Sequence, residues 1–405
     1  RVEYGMQYDF VIVGAGIVGL STAYKLSLSF PDADILVLEK ENRVAAHQTG
    51  NNSGVIHSGI YYKPNSYRAK NCIDGRHQLV EFCRKNGVAY EICGKVIVAA
   101  NEDELRRLNK IYETGKINEI EGIKQIDRKE LNEIEPYANG IKAIHVPCTG
   151  IADFKGVCKT LKERIEESRN KVACGQKVTQ IKVENEVHQI TTETSKFEGK
   201  YLITCGGLQS DLLARLAGIQ PAVQIVPFRG EYYALKKEAE HLVNGLIYPV
   251  PDPEFPFLGV HFTKMALGGI ECGPNAVFSF KREGYGKLSF SLQDTIETLN
   301  YPGFGNLAVQ HWRKGLEEYY RSLSKTAFVK VLQKLIPNIR STQLEPAGSG
   351  VRAMALQPNG EIVDDFYFES APNAIHVLNA PSPAATAGLA IGDEIVKRAE
   401  SNFNL

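Results

Sequence analysis

Residues Tyr8–Gly19 read YDFVIVGAGIVG, an apolar run followed at once by the pattern G-x-G-x-x-G. On its own this glycine pattern is weak evidence for any ligand. Here a helical pattern follows it, and a second apolar run at Ile35–Leu38 ends on Glu39, 20 residues after the last of these glycines. A strand, a glycine turn, a helix and a second strand that ends on an acid are typical of a dinucleotide-binding βαβ unit. The stretch therefore predicts a Rossmann-type sheet at the start of the chain.

Each glycine of the pattern has its own physical task. Gly14 permits the tight turn, Gly16 lets the backbone approach a pyrophosphate, and Gly19 lets the helix lie close to the sheet. The helix N-terminus then presents unpaired N–H groups to the phosphates, and Glu39 can accept hydrogen bonds from ribose hydroxyls. The residues expected to contact the cofactor in this unit are Gly14, Ala15, Gly16, Ile17, Val18, Gly19, Glu39 and Lys40.

The composition describes an ordinary globular protein without a strongly charged partner. The chain has 405 residues, which is long for one compact domain, so two intertwined domains are expected. Lys+Arg and Asp+Glu are both 47, which gives no indication of a nucleic-acid partner. No apolar run approaches the roughly 18 residues of a membrane-spanning helix. The cysteines include no C-x-x-C pair, which indicates a reducing compartment and supports neither a disulfide framework nor a metal site.

Two later segments predict that the chain returns to the first sheet. Lys200–Gly207 reads KYLITCGG, a strand that ends on a double glycine and precedes a helical stretch. Antiparallel strands that include Val178 come before this return strand. Near the C-terminus, Ala374–Leu378 is a predicted strand, Asn379–Gly388 reads NAPSPAATAG, and a helical pattern follows. The first domain is therefore expected to combine segments that lie far apart in sequence.

This arrangement resembles the flavoprotein superfamily of D-amino-acid oxidase and glycine oxidase, in which a substrate domain interrupts an FAD-binding sheet. The resemblance implies an α/β fold with an α+β second domain. It assigns a Rossmann-type FAD-binding domain to 1–87, 148–222 and 341–405, and an antiparallel-sheet substrate domain to 88–147 and 223–340. It also implies that a late helix directs its N-terminus at the flavin. The further residues expected around FAD are His47, Gln48, Thr49, Asn52, Ser53, Gly54, Val178, Cys205, Gly206, Gly207, Ser382, Pro383, Ala384, Ala385 and Thr386.

Six blocks carry a narrower resemblance. They are NSGVIHSGIYY (52–62), VPFRGEYY (226–233), LGVHFT (258–263), GGIECGPNAV (268–277), SGVRA (349–353) and NAPSPAATAGLAIG (379–392). In this order they resemble the L-2-hydroxyglutarate dehydrogenase/oxidase family, from Asp9 to about Ala399. The resemblance implies FAD-dependent oxidation of L-2-hydroxyglutarate to 2-oxoglutarate. Small differences at loop positions such as Asn51 leave this implication unchanged.

Oxidation of a 2-hydroxy acid on a flavin removes a hydride from the α-carbon and a proton from the hydroxyl group. Histidine suits the second task because its pKa lies near neutrality. His57 and His261 lie in the blocks above, so one is predicted to be the base and the other to position or polarise the substrate oxygen. The block of His57 also resembles the place where related amine dehydrogenases attach flavin. In that alternative His57 holds FAD covalently and His261 is the base.

A dicarboxylate substrate predicts cationic binding groups, and arginine holds a carboxylate in bidentate fashion. Arg352 is the first choice for the α-carboxylate, because amino-acid oxidases have an arginine at the matching place. Arg229 is the second candidate, against the alternative of a salt bridge with Glu231. The residues expected near the distal carboxylate are Tyr61, Tyr62, Lys63 and Tyr233.

The region 306–336 is largely helical in pattern, with apolar and basic residues interleaved. The simplest interpretation is a helix pair packed on the second sheet. The alternative is a peripheral membrane contact, through which electrons would pass to a quinone or an electron-transfer protein instead of oxygen. Because the sequence begins at Arg1 without a methionine, we expect a processed or trimmed product. The resemblance implies a mitochondrial matrix or inner-membrane location in a eukaryote and association with the cytoplasmic membrane in a bacterium.

Three other functions stay open on the sequence alone. An amino-acid or amine oxidase of the same fold would not require both histidines, because neutral amines lose hydride without a dedicated base. A glycerol-3-phosphate dehydrogenase would need a more cationic pocket for the phosphate. A non-catalytic FAD-binding protein is the least favoured reading, because His57, His261 and Arg352 would then have no task.

Overall fold

The computed structural model describes residues 7–252 and 259–405; residues 1–6 and 253–258, including Leu258 of the LGVHFT block, lie outside the described residues. The strands are β1 Gln7–Val13, β2 Ile35–Leu38, β3 Val55–Ile56, β4 Tyr90–Glu91, β5 Lys95–Ala99, β6 Lys124–Asp127, β7 Lys142–Val146, β8 Gly150–Ala152, β9 Lys171–Ala173, β10 Val178–Glu184, β11 Val187–Thr192, β12 Lys196–Thr204, β13 Gln224–Leu235, β14 Leu246–Pro249, β15 His261–Lys264, β16 Ile270–Gly273, β17 Val277–Phe278, β18 Leu344–Leu356, β19 Tyr367–Ala371 and β20 Ala374–Asn379. The α-helices are α1 Ile17–Ser29, α2 Tyr67–Asn86, α3 Glu102–Ile117, α4 Arg128–Ile134, α5 Phe154–Glu166, α6 Ser210–Leu216, α7 Leu292–Leu299, α8 Pro302–Leu323, α9 Lys325–Leu332 and α10 Ala384–Phe403.

The first sheet has the order β10–β11–β12–β1–β2–β9, and β20 pairs with the end of β12. β1 pairs in parallel with both β2 and β12, as a Rossmann-type sheet requires. Its apolar run is buried on both faces: Phe10 and Ile12 pack with residues of α1, α5 and α10, while Val11 and Val13 pack with Leu213 of α6. The predicted α/β fold of the first domain is therefore confirmed.

The second sheet has the order β17–β13–β16–β15–β14–β5–β7–β6, with β18 beside β13. Its pairs are antiparallel except β5 with β14, which is parallel. β18 pairs with β13 from Leu344↔Leu235 to Leu356↔Gln224. The boundary expected at 341 must therefore be corrected, because β18 belongs to the second sheet although it precedes the C-terminal flavin segment. The rest of the division into domains stays a prediction.

A small third sheet places the loop around His57 beside the two larger ones. β8 pairs antiparallel with both β3 and β4, and the Ala152 N–H donates to the Gly54 carbonyl at 2.8 Å. His57 follows β3 directly, so this short pairing fixes the position of the His57 backbone.

The two helices of the 306–336 region differ in packing. α9 buries Phe328, Val329 and Leu332 in the core of the second sheet. α8 changes direction at His311, whose backbone angles are not helical, and leaves apolar side chains exposed. Among the described residues, no helix combines the length and the apolar character that crossing a bilayer would require.

Candidate active site

A cavity of about 1440 Å³ lies where the carboxyl ends of β1, β2 and β12 face β13, β14 and β18. It exceeds the roughly 300–1,000 Å³ of most small-molecule pockets. Ligands of open α/β sheets bind outside the carboxyl ends of the strands, at the position that this cavity occupies. Both large sheets contribute to its wall, so one extended ligand and a second, smaller one can share it.

The turn between β1 and α1 leaves no room for a side chain at Gly14 or Gly19. Gly14 has a φ of +111°, and a Cβ there would lie 2.3 Å from the Cys205 carbonyl oxygen. A Cβ on Gly19 would lie 1.9 Å from the Gly14 carbonyl oxygen. α1 begins at Ile17 without a side-chain cap on its N-cap residue, although the Ile17 N–H donates to Thr49 Oγ1 at 3.1 Å. The turn therefore brings backbone and a positive helix end to the cavity, which fits a pyrophosphate.

Glu39 at the end of β2 is buried and holds this turn in place. Its Oε2 accepts a hydrogen bond from the Ala15 N–H at 2.8 Å, and its Oε1 accepts one from the Glu41 N–H at 2.9 Å. A carboxylate offers about four lone-pair sites, so acceptor capacity is left on the cavity side. Glu39 lines the cavity, and its free lone pairs fit the hydroxyls of a ribose.

The loop 47–54 folds on its own backbone. Asn51 Nδ2 donates to the carbonyls of Ala46 and His47 at 2.9 and 2.7 Å, and Asn52 Nδ2 donates to the Thr49 carbonyl at 2.8 Å. Gln48 accepts a hydrogen bond from the Ala353 N–H at 2.9 Å, which fastens the loop to β18. The loop is thus rigid enough to form one wall of a binding site.

The N-terminus of α10 forms the opposite part of the wall. α10 begins at Ala384, its N-cap residue Pro383 provides no side-chain cap, and both residues line the cavity. The Thr386 hydroxyl accepts a hydrogen bond from the His57 N–H at 3.0 Å and donates one to the Val55 carbonyl at 3.2 Å. The helix end that faces the cavity is therefore fastened to the loop around His57.

Most residues expected around FAD do line the cavity. They are Gly14, Gly16, Ile17, Val18, Glu39, Lys40, His47, Gln48, Thr49, Asn52, Ser53, Val178, Cys205, Gly206, Gly207, Ser382, Pro383, Ala384 and Ala385. Ala15, Gly19, Gly54 and Thr386 do not, and they support the wall from behind. These residues fit FAD, because glycine backbone, two uncapped helix ends and an acid at the end of β2 meet along one cavity.

Both predicted histidines line the same cavity. Burial lowers the pKa of His57 to about 3, with further lowering by the positive charges of Lys95 and Arg68. Burial also lowers the pKa of His261 well below its ordinary value, and Arg352, His57 and Lys95 lower it further. Both imidazoles are therefore neutral at pH 7.

Arg352 lies on β18 opposite Phe228 and lines the cavity. Tyr61 and Tyr62 line it as well, while Lys63 is exposed and does not. Two residues before Arg352, Gly350 packs directly against the loop 47–54. A Cβ added at Gly350 would lie only 2.3 Å from the Asn51 carbonyl oxygen. β18 thus carries a guanidinium to the cavity that both histidines face.

The expectation for Arg229 must be corrected. Its side chain is buried away from the cavity, where Nη2 donates to Glu231 Oε1 at 3.1 Å and Nη1 donates to the Gly286 carbonyl at 2.7 Å. Glu231 also accepts hydrogen bonds from Ser322 Oγ at 2.8 Å. This placement agrees with the alternative weighed above, a structural ion pair.

Tyr233 and Lys63 also need correction. Tyr233 points to the other face of β13, where its ring packs on Phe328 with ring centroids 4.9 Å apart. Its neighbour Tyr232 lines the cavity instead, because successive strand residues face opposite sides. Lys63 lies in the exposed turn before α2, which points its ammonium at solvent.

Sequence reasoning missed Arg68 and Tyr248, which line the cavity. Arg68 lies on α2, with its guanidinium 4.5 Å from the centre of the Tyr62 ring, and its Nε donates to the Ser382 carbonyl at 2.6 Å. Neither residue belongs to a recognisable motif.

Glu41, His47 and Glu283 form the group of potential metal ligands in the described part of the chain. Lys40 forms ion pairs with both Glu41 and Glu283, and His47 Nε2 lies 2.8 Å from Glu41 Oε1. The Lys40 ammonium already pairs with both carboxylates, so we draw no metal site from this cluster.

The comparisons with known proteins agree with this geometry. The profile of the family described as FAD dependent oxidoreductase matches residues 9–398. The L-2-hydroxyglutarate dehydrogenase of Indibacter alkaliphilus is 48% identical over 98% of this chain and 100% of its own. The mitochondrial L-2-hydroxyglutarate dehydrogenase of Dictyostelium discoideum is 43% identical over 98% of this chain and 93% of its own.

Among solved structures, L-α-glycerophosphate oxidase from Mycoplasma pneumoniae with FAD bound superposes with a TM-score of 0.81. It is 23% identical to this chain, covers 98% of it and is covered over 95% of its own length, so the likeness supports the fold. The predicted fold and the predicted cofactor FAD are confirmed. The chain belongs to the FAD-dependent oxidoreductase family and, within it, to the L-2-hydroxyglutarate dehydrogenases.

Proposed function

We propose that this protein catalyses the FAD-dependent oxidation of L-2-hydroxyglutarate to 2-oxoglutarate. The observation that carries the proposal is that His57, His261 and Arg352 line one cavity with the residues that fit FAD. The names of the full-length relatives supply the substrate. FAD, when bound, accepts the two electrons that leave the α-carbon as a hydride.

The protein's own residues handle the hydroxyl proton and the carboxylates. Arg352 binds the α-carboxylate and so fixes the α-carbon in one orientation. We assign the hydroxyl proton to a neutral imidazole, and burial keeps both histidines uncharged in the resting site. The negative charges of the substrate offset the nearby cations, so binding raises the histidine pKa toward the value that a base needs.

His261 is the better-oriented candidate for the base. Its Nδ1 lies 3.0 Å from Thr263 Oγ1. When the Nδ1–H donates to the threonine hydroxyl, Nε2 carries the lone pair that accepts a proton. His57 then polarises the substrate oxygen, or holds the flavin covalently as the alternative has it.

Anaerobic bleaching of the flavin absorbance tests the substrate. We expect L-2-hydroxyglutarate to bleach the flavin rapidly, and D-2-hydroxyglutarate, L-glutamate and glycerol 3-phosphate to do so slowly or not at all. Rapid bleaching by L-glutamate would favour an amino-acid oxidase, and rapid bleaching by glycerol phosphate the corresponding dehydrogenase. A colourless protein that does not take up FAD would contradict the proposal altogether.

A second proposal concerns the electron acceptor: α7 and α8 rest on an anionic lipid surface and deliver electrons to a membrane quinone. Exposed apolar residues recur at three- and four-residue steps along α8, and Trp312 and Leu323 are 56% and 79% exposed. The members of this apolar side are Leu292, Ile296, Leu299, Val309, Trp312, Leu316, Tyr320 and Leu323. Arg313 and Lys314 stand beside it in the sequence, as in interfacial helices.

Flotation with phosphatidylglycerol vesicles tests this contact. We expect the holoenzyme to float, and the double variant Trp312→Ser, Leu316→Ser to stay in solution. Leu28→Ser, at an exposed leucine of α1, is the matched control and should float. If the double variant floats as the wild type does, the contact lies elsewhere. Self-association on this side would appear as a concentration-dependent mass without vesicles.

A further inference from the structure

Lys95 is the first residue of β5, and its side chain is 2% exposed. Its Nζ finds no hydrogen-bond partner among the described residues. A buried ammonium without a partner costs several kcal/mol relative to an apolar side chain of the same size. Packing does not explain this residue, because methionine would fill the same space at less cost.

Two tyrosines that line the cavity enclose this ammonium. Lys95 Nζ lies 4.6 Å from the centre of the Tyr61 ring and 4.8 Å from that of Tyr248. Such ring faces stabilise a cation that has lost its water. The charge therefore lies directly behind the cavity wall, although Lys95 is not itself part of the lining.

No carboxylate among the described residues shifts the pKa of this lysine. Burial, the largest cause, lowers the pKa of Lys95 to about 8, while Cys148 and Cys72 act in the opposite direction. His57 and His261 are also nearby, and the positive charge of Lys95 lowers the pKa of both imidazoles. The other cation near His57, Arg68, differs from Lys95 in having a carboxylate partner, because it forms an ion pair with Asp364.

We propose that Lys95 is a positioning residue that makes the site select dianionic substrates. The inference rests on the proposed function and deepens it. Arg352 meets one carboxylate at the cavity surface, whereas Lys95 acts through the Tyr61 and Tyr248 rings and attracts the whole dianion. A monocarboxylic hydroxy acid gains about half of this attraction.

Binding of unreactive acids to the holoenzyme tests the proposal without turnover. Glutarate and valerate each have five carbons and differ by one carboxylate, and their binding is read from the flavin absorbance. In Lys95→Met we expect glutarate to bind about tenfold more weakly and valerate only about threefold. Lys124→Met, at an exposed lysine of β6 in the same sheet, is the control and should change both by less than about twofold.

The wild-type protein offers a second test that needs no variant. Glutarate affinity should fall as the pH rises through about 8, because Lys95 then loses its charge. Burial raises the pKa of Tyr61, Tyr248 and Cys148, and that of Cys72 to about 12, so these neighbours do not titrate there. Lys95→Met should remove this dependence.

Four outcomes separate the proposals. Equal weakening of glutarate and valerate in Lys95→Met would overturn the role of Lys95. If that variant does not hold flavin, a wild-type glutarate affinity that stays flat between pH 7 and about 9 would overturn it too. A wild-type protein that binds glutarate but shows neither effect keeps the proposed function. Failure to respond to glutarate and to L-2-hydroxyglutarate would refute the proposed function itself.

Discussion

The imidazole of His261 stacks on the ring of Tyr248, with ring centroids 4.0 Å apart and an interplanar angle of 9°. The Lys95 ammonium lies 4.8 Å from the centre of the same tyrosine ring. One aromatic side chain thus contacts both the candidate base and the buried cation. Because Thr263 holds Nδ1 of the same imidazole, the orientation of His261 is fixed before any substrate arrives.

Replacing either histidine should slow the chemical step without loss of FAD. We expect His261→Asn and His57→Asn to lower the anaerobic rate of flavin reduction, and the loss of the base to cost about 10²- to 10⁴-fold. Stopped-flow absorbance measures this rate, and His241→Asn, at a histidine that packs on Tyr137, is the control. Acid precipitation adds a check: a wild-type pellet that stays yellow and a His57→Asn pellet that is colourless would assign covalent attachment to His57 and leave His261 as the base.

The pH dependence of flavin reduction at low substrate should lack a histidine ionisation near pH 6.5. The pKa of both imidazoles is lowered, so they become protonated only at a pH well below 6.5, and His57 only at a pH of about 3. The base form is then present throughout pH 5–8, and the rate per unit of substrate stays flat on the acid side. A drop in rate centred near 6.5 would show a base with an ordinary histidine pKa and would contradict the lowered pKa of these two imidazoles.

Arg352→Lys should raise KM and lower kcat together. Lysine keeps the charge but loses the paired N–H groups that orient a carboxylate, so kcat/KM should fall roughly 10- to 100-fold. Steady-state kinetics with a quinone analogue measures both constants. Arg229→Lys is the contrasting variant: it should lower the melting temperature by disturbing the Glu231 pair, with KM nearly unchanged. An unaltered kcat/KM in Arg352→Lys would remove this arginine from the site.

Lys95→Met should stabilise the fold while it weakens dianion binding. The folded pKa of Lys95, about 8, lies below its unfolded value, so protons favour the unfolded chain. Burying the charged lysine therefore lowers the free energy of unfolding by about 3 kcal/mol at a pH below 8. This destabilisation disappears as the pH rises toward the pKa of the unfolded chain. Urea unfolding at pH 7 and at pH 9.5 should therefore show a smaller gain for the variant at the higher pH. A variant less stable than the wild type at pH 7 would contradict this.

Local patterns predicted the first sheet well, because each physical requirement there leaves a mark in the sequence. The turn at Gly14 demands glycine, the parallel strand β1 demands a continuous apolar run, and Glu39 follows β2 at the expected distance. The returns at β12 and β20 were found for the same reason. The segment that forms β18 was assigned to the FAD-binding domain, because its pairing with β13, far earlier in the chain, leaves no local mark.

The site was predicted less evenly. His57, His261 and Arg352 stand in recognisable blocks, and all three line the cavity. Tyr233 was chosen over Tyr232, although the alternation of strand faces turns only one of them to the cavity, and a short motif does not say which. Arg68 and Tyr248 come from elements without a motif, and only the packing of the sheets brings them together.

Thr386 joins two segments that lie far apart in the sequence. Its hydroxyl accepts from the N–H of His57, a residue 329 positions earlier, and donates to the carbonyl of Val55. During synthesis on the ribosome, the amino-terminal half therefore emerges long before its counterpart on α10 exists. We expect nascent chains to bind no FAD until α10 has left the ribosome, and chains that terminate before α10 to remain colourless.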